Sequence, residues 1–387
     1  MRITALAAHT PEAVRAALAA RGWETQPAWF AAIGIQPFVV LIEDISEAER
    51  EALVHWGTKS GADVLTGEGW ALVAGAASRI APLARYDRAP AELARLAPAL
   101  GRLLAARAPP ESPRAWPIRG GELSLERPVI IGIINVTPDS FSDGGHFPSV
   151  DAAIEHGARL TAHGARLLDV GGESTRPGSQ PTSAEEELRR VLPVVEGLAR
   201  QDVLVSIDTR RAFVARACLD AGARIVNDVS ALRDDPELMP LVARRGVPVV
   251  LMHRRGRSED KYEGPAYSDV VEDVRRFLLD RARTSEAAGI ARDRIALDPG
   301  IGFGKNVEEN VALIAGAARL ADAGYPVLVG SSRKGFIGRL TGIAEPRRRD
   351  PASVWLAVEA ARRGAAIVRV HDVAAVCQAL AVSSAMR

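Results

Sequence analysis

Ile131-Gly132-Ile133-Ile134-Asn135-Val136-Thr137-Pro138-Asp139-Ser140-Phe141-Ser142-Asp143-Gly144-Gly145 is an apolar run that stops at an asparagine and gives way to a polar, glycine-ended segment. Residues 130–134 are apolar or glycine without alternation, the pattern of a parallel strand covered on both faces. An asparagine at the C-terminal end of such a strand stands where (β/α) barrels and open α/β sheets bind ligands. Pro138 forbids simple continuation of the strand, and Gly144-Gly145 allow unusual dihedrals. Residues 136–145 therefore read as a working loop that carries two aspartates, hydroxyl groups and a phenyl ring.

Working outward, seven more apolar runs alternate with amphipathic helical patterns. The expected strands are 129–135, 166–170, 203–208, 224–227, 247–253, 294–298, 326–330 and 366–371. The expected helices are Asp151–His163, Ser183–Arg200, Arg210–Ala221, Asp235–Arg245, Ser268–Ala288, Asn306–Ala323, Ser332–Leu340, Pro351–Arg363 and Val373–Ala385. Ser183 opens a capping box, Pro236 is read at the first helical position, and Gly164, Gly222, Gly246, Gly289, Gly324 and Gly364 stand where C-terminal caps belong. Eight strand-then-helix repeats over about 260 residues specify a (β/α)8 TIM barrel within the α/β class, rather than a doubly wound sheet.

Upstream, residues 1–106 read as an additional small α/β domain. Arg2–Ala7 and Phe38–Ile42 are expected strands, Thr10–Arg21 and Ser46–Ser60 expected helices, and the patterns at 76–85 and 90–106 are helical. No His, Cys or carboxylate cluster there suggests chemistry. Residues 107–117 hold four prolines and read as a semi-rigid linker. The barrel domain is then 118–387, and Ile118–Leu125 with Gly120-Gly121 at its centre is an expected hairpin placed to plug the barrel's bottom.

Composition narrows the class. Apolar residues make up 47% of the chain and the formal net charge is +1, which indicates neither disorder nor a nucleic-acid footprint. Cys218 and Cys377 lie in apolar helical patterns and read as free buried thiols. No charged leader precedes a long apolar stretch in residues 1–10 and no membrane span is apparent, so a cytoplasmic protein is expected. Only Lys59, Lys261, Lys305 and Lys334 are lysine among 49 basic residues. In a chain that otherwise uses arginine, each lysine calls for a reason, such as its compact three-donor ammonium.

The last residues of the expected strands are Asn135, Asp169, Asp208, Asn227, His253, Asp298, Gly330 and His371. Any one of them reads equally well as a cap of the next helix. Together at one rim they read as an active site. Ser206 with Asp208, and Arg369 with His371, are two apart and share a face. Asp208, Asn227 and Asp298 form an acceptor-rich wall suited to a flat heterocycle with amino and ring N–H donors, and Lys334 offers a donor to a carbonyl or ring nitrogen. Arg333, Arg369 and His371 stand beyond strands 7 and 8, where barrels commonly hold phosphate. The ligand class is a heterocycle bearing phosphate or pyrophosphate. Gly300-Ile301-Gly302-Phe303-Gly304-Lys305 lacks the Lys-Ser/Thr ending of a phosphate loop and reads as a tight turn. No zinc-ligand spacing or serine-nucleophile motif is present.

On these motifs the chain resembles the dihydropteroate synthase family over residues 118–387. The segments are Asn135–Gly145, Asp169–Gly178, Ser206–Thr209, Asn227-Asp228, Asp298–Lys305, Ser332-Arg333-Lys334 and Arg369-Val370-His371, in that order. The resemblance implies condensation of 6-hydroxymethyl-7,8-dihydropterin diphosphate with p-aminobenzoate, Mg2+ assistance and a homodimer. It implies that Asp208, Asn227, Asp298 and Lys334 hold the pterin. It also implies that Asn135, Thr175, Arg369 and His371 serve the diphosphate and its metal, with Asn135 the metal ligand, and that Phe141, Asp143 and Arg176 come from loops over p-aminobenzoate. Arg254 and Gly335 depart from the usual pattern, and the N-terminal domain is absent from the minimal enzyme. The alternatives are a pterin-dependent methyltransferase and a non-catalytic pterin-binding paralogue.

Overall fold

The computed structural model describes residues 2–5, 19, 38–75, 80, 83–84, 91–106, 113–118, 120–136, 149–173, 182–256 and 267–386. The chain divides into two compact units, Met1–Pro109 and Pro110–Arg387.

In the first unit, β1 (Arg2–Ala5), β2 (Phe38–Glu43), β3 (Asp63–Gly67) and β4 (Trp70–Gly75) form an antiparallel sheet in the order β1-β2-β4-β3. Helix α1 (Glu47–Ser60) begins with the expected capping box, in which Ser46 accepts from the Glu49 N–H and Glu49 accepts from the Ser46 N–H. It stops at Gly61 with φ 76°. Val40, Ile42, Ala71 and Val73 pack against Leu53, Leu93, Leu96 and Leu100, the last of these from α2 (Ala97–Ala106). The expected helix 10–21 lies, residue 19 apart, outside the described residues, as does most of 76–85.

The second unit opens with an antiparallel hairpin, β5 (Ala115–Ile118) and β6 (Gly121–Ser124). Strand β5 takes in Ala115, Trp116 and Pro117, which their proline-rich setting had assigned to the linker. Trp116 is fully buried, and burying an indole outweighs the local preference of its neighbours.

Eight parallel strands follow: β7 (Val129–Asn135), β8 (Leu167–Gly171), β9 (Val205–Asp208), β10 (Ile225–Asp228), β11 (Val249–Met252), β12 (Ile295–Asp298), β13 (Leu328–Val329) and β14 (Ile367–Val370). Their order is β12-β11-β10-β9-β8-β7-β14-β13. A parallel bridge between Leu297 and Val327, with the Leu297 N–H donating to the Pro326 carbonyl at 2.8 Å, joins the two ends and closes the (β/α)8 barrel.

The helices between them are α3 (Val150–Ala162), α4 (Ala184–Arg200), α5 (Ala212–Asp220), α6 (Leu238–Arg245), α7 (Val270–Ala287), α8 (Val307–Ala315), α9 (Ala317–Ala321), α10 (Gly335–Thr341), α11 (Asp350–Arg362) and α12 (Val373–Ala385). The six predicted capping glycines all have positive φ. Three helices differ from expectation, one of them the pattern 332–340, which begins only at Gly335 after left-handed backbone at Arg333. The pattern 306–323 is broken at Gly316, where a Cβ would lie 2.8 Å from Val271 Cγ1, so close approach to α7 is met by ending one helix and starting another. Helix α6 starts at Leu238 rather than beside Pro236, because the Asp235 carboxylate accepts from the Ala212 N–H at 2.7 Å and the Glu237 N–H at 2.9 Å.

Parity along the strands divides the barrel interior into layers. The lower layer is apolar: Ile131, Leu167, Ile225, Val250, Ala296, Leu328 and Ile367 pack on Trp116, Leu123 and Leu125 of the hairpin, which plugs the bottom. Two residues further along the same strands stand Asp169, Asn227, Asp298 and Arg369. The next step reaches Asn135 and His371. The polar rim is therefore the continuation of the inward face, with its floor sealed from below.

Candidate active site

Arg369 is the ionic centre of the polar layer. Its Nε donates to Asp169 Oδ2 at 2.6 Å and its Nη2 to Asp208 Oδ2 at 3.0 Å, so one planar guanidinium spans carboxylates from β8 and β9. Asn227 Nδ2 donates to the same Asp169 oxygen at 2.9 Å. Burial, together with the Asp169 charge beside it, pushes the Asp208 carboxyl well above the usual carboxylate range, and Arg369 opposes that rise. Asp208 is not a helix cap: Thr209 Oγ1 accepts from the Arg211 N–H at 3.2 Å, leaving Asp208 to the site.

Asp298 and Lys334 face the site across the loop 299–305. Asp298 Oδ1 accepts from the Gly300 N–H at 2.7 Å, and burial raises its carboxyl against the pull of Lys334. Lys334 Nζ donates to the Ile301 carbonyl and stands 4.6 Å above the Phe303 ring. Burial lowers its ammonium to about 8. Gly300, Gly302 and Gly304 all have φ between 67° and 84°. A Cβ on Gly300 would lie 1.8 Å from the His253 carbonyl oxygen, so the turn read from the sequence admits no side chain there.

His371 Nδ1 and Ser332 Oγ are 2.9 Å apart, and the His371 N–H donates to Ser332 Oγ at 3.2 Å. Asn135 ends β7 at the same rim. Arg333 points elsewhere. Its guanidinium makes a two-point pair with Asp350 at 2.7 Å, and its φ of 60° turns it from Lys334. Thr175, Arg176, Phe141 and Asp143 lie outside the described residues.

Several residues have partners here that the sequence does not reveal. Asp169, a strand end and the start of the Asp169–Gly178 segment in the sequence but with no role assigned there, is 1% exposed and takes both Arg369 and Asn227. Arg254 is buried against Asp234, which also takes Arg210 at 3.2 Å. Arg210 and Arg211 in turn hold Glu173 at 3.2 and 3.1 Å. The arginine that departs from the family pattern is thus a link in an ionic chain among the segments that follow the ends of β8, β9, β10 and β11. Asn310 Oδ1 accepts from the Gly302 N–H at 2.6 Å. No spacing signals such pairings. At Gly335 a Cβ would meet no atom within 4 Å, so the serine of other members would find open space.

Among the described residues no group of three His, Cys, Asp or Glu is placed to hold a metal ion by itself, and no helix is long and apolar enough to cross a membrane. Cys218 is free and buried, its thiol pushed up to about 12 by burial, and Cys377 is free.

Residues 131–371 match the family model of pterin-binding enzymes. The chain is 48% identical over 269 residues to a dihydropteroate synthase of Mycobacterium leprae, covering 68% of this chain and 95% of that one. Among solved structures it is similar to Xanthomonas albilineans dihydropteroate synthase with 4-aminobenzoic acid, at TM-score 0.66 and 50% identity, over 70% of this chain and 98% of that one. The same enzyme in complex with 7,8-dihydropteroate superposes at TM-score 0.64 with 48% identity, over the same shares of the two chains.

Proposed function

The chain belongs to the dihydropteroate synthase family of pterin-binding enzymes, and from that premise we infer that it is a transferase joining 6-hydroxymethyl-7,8-dihydropterin diphosphate to p-aminobenzoate. The products are 7,8-dihydropteroate and pyrophosphate. The observation that carries this reading is the polar layer itself, in which Asp208, Asn227 and Asp298 present acceptors and Lys334 a donor above a sealed apolar floor.

In the reaction the bond from the exocyclic pterin carbon to the diphosphate oxygen breaks, its electron pair leaves with pyrophosphate, and the p-aminobenzoate nitrogen forms the new C–N bond and loses a proton. Positive charge develops on that carbon, so the buried carboxylates stabilise the transition state by electrostatics rather than by activating a nucleophile. Arg369 and His371 serve the diphosphate with whatever donors their internal pairings leave. Arg369 gives its Nε and Nη2 to Asp169 and Asp208, and Ser332 orients the His371 ring. Thr175 with the diphosphate, and Phe141, Asp143 and Arg176 with p-aminobenzoate, are assigned by resemblance.

Mg2+ fits this rim as an ion carried largely by substrate. The Asn135 amide oxygen is a hard donor, and Mg2+ typically takes one or two protein oxygens with phosphate oxygens and water making up the rest. When bound, it neutralises charge on the departing diphosphate. A homodimer in the cytoplasm completes the proposal, and the free thiols Cys218 and Cys377 suit a reducing compartment. Incubation with both substrates tests the function. The expected result is 7,8-dihydropteroate, and its absence from active-site-intact protein overturns the reading.

Two expected results follow from the pocket. Lys334→Met and Asp298→Asn each weaken binding of a non-reactive pterin by about 1–3 kcal/mol, because each leaves a polar partner unmatched; calorimetric titration reads this, and unchanged affinity in both variants refutes the pocket. The affinity is also bell-shaped in pH. Burial raises Asp298 and lifts Asp208 to about 8, so these acceptors take up protons already below about 8 and binding falls on that side, leaving a narrow optimum near 8. It falls again as pH rises through about 8, where Lys334 loses its proton. Titrations with a pterin that does not itself ionise in the range check the sign, and a flat profile contradicts it.

A further inference from the structure

Lys305 is buried at 7% exposure beneath the loop that joins β12 to α8. Its Nζ lies 2.9 Å from the Gly300 carbonyl, 3.1 Å from the Phe303 carbonyl, 3.3 Å from the His253 carbonyl and 3.0 Å from His253 Nδ1. An ammonium has three protons and a spherical charge, so it suits acceptors converging from several directions, whereas a planar guanidinium does not. This accounts for a lysine in a chain that uses arginine nearly everywhere else.

Burial and the Lys305 charge together hold His253 well below the usual imidazole range, so the ring is neutral. When Lys305, which burial lowers to about 7, carries its proton it can only donate, and Nδ1 is then the acceptor with the ring proton on Nε2. The ring packs edge-on against Phe277 at 4.9 Å. His253, a strand-end residue in the sequence, is thus committed to Lys305 rather than presented to the cavity.

The loop above is tied alternately from two sides. The Gly300 N–H donates to Asp298, the Gly300 and Phe303 carbonyls accept from Lys305, the Ile301 carbonyl accepts from Lys334, and the Gly302 N–H donates to Asn310. Both side chains read as pterin contacts on this side, Asp298 and Lys334, therefore touch a backbone whose position Lys305 sets. We propose that Lys305 is a positioning residue for the pterin pocket, acting through the Gly300–Phe303 backbone on Asp298 and Lys334 without touching substrate. The proposal rests on the pterin reading of those two residues.

The test uses full-length Lys305→Met with wild type, followed by calorimetric titration with a non-reactive pterin, the KM for p-aminobenzoate, and hydrogen exchange of the amides at 300–304. The expected result is faster loop exchange and at least about tenfold weaker pterin binding, with the KM for p-aminobenzoate unchanged. General loss of stability would lower the active fraction without producing that split. A second pair covers failure of the variant to fold. His253→Asn keeps an acceptor at the Nδ1 position and should bind pterin like wild type, whereas His253→Leu removes it and should not. Unchanged loop exchange and affinity in Lys305→Met, or equal affinities in the two His253 variants, overturn the proposal. Faster loop exchange in a protein whose wild type binds no pterin overturns the pterin reading instead and leaves the loop role of Lys305 standing.

Discussion

Replacing Arg369 with methionine will lower the stability of the barrel by about 3–5 kcal/mol, the cost of breaking a buried ion pair from one side. The guanidinium joins Asp169, which is almost fully buried, to Asp208, and it is the cation that opposes the rise of the Asp208 carboxyl. Without it Asp208 keeps its burial and its acidic neighbour. The folded-state carboxyl then sits further above its unfolded value, so the deficit is largest where Asp208 must be ionised and shrinks as pH falls. Arg369→Lys should recover only part of the loss, because one ammonium does not span both carboxylates as the fork does. Denaturant unfolding of the three proteins at neutral and mildly alkaline pH, on either side of the wild-type Asp208 value of about 8, checks this. A methionine variant as stable as wild type at neutral pH would mean that the pairing contributes nothing to the fold.

Trp116→Ala should cost a similar amount at the opposite end. The indole is fully buried among Leu123, Leu125 and the lower-layer residues of the strands, and removing a buried aromatic typically costs about 3–5 kcal/mol. For a barrel of this size that is a fall in Tm of roughly 6–20 °C. Because the apolar layer separates Trp116 from the rim, pterin affinity per folded molecule should not change. Calorimetric Tm and a pterin titration below the transition distinguish the outcomes. A lost affinity with an unchanged Tm would mean that the hairpin belongs to the site rather than to the floor.

The two variants mark the limits of what sequence alone conveys. Strand β7 was readable to the residue, because an apolar run ending in Asn135 and Pro138 leaves a parallel strand no other place to stop. The capping glycines were readable because left-handed backbone favours glycine. The plug was visible as a hairpin, but its first strand was hidden by prolines, since the burial that recruits Trp116 comes from seven distant strands. Pairings were least visible. Asp169 and Arg369 are 200 residues apart, and nothing local to either specifies the other. Arg333 was misdirected toward phosphate for the same reason: its partner Asp350 lies on the next helix but one. Lys305 shows in the sequence as the end of a glycine-rich turn and through the scarcity of lysine, which signal a constraint without naming the four acceptors that impose it.

Pyrophosphate release decides whether the polar rim transfers the pterin to an amine rather than merely binding it. Pyrophosphate release from the pterin diphosphate should be measured with and without p-aminobenzoate, in wild type and in Lys334→Met. The expected result is rapid release that requires p-aminobenzoate, yields one dihydropteroate per pyrophosphate, and is strongly reduced in the variant. Release that is independent of p-aminobenzoate, or equal in the two proteins, would contradict the assignment.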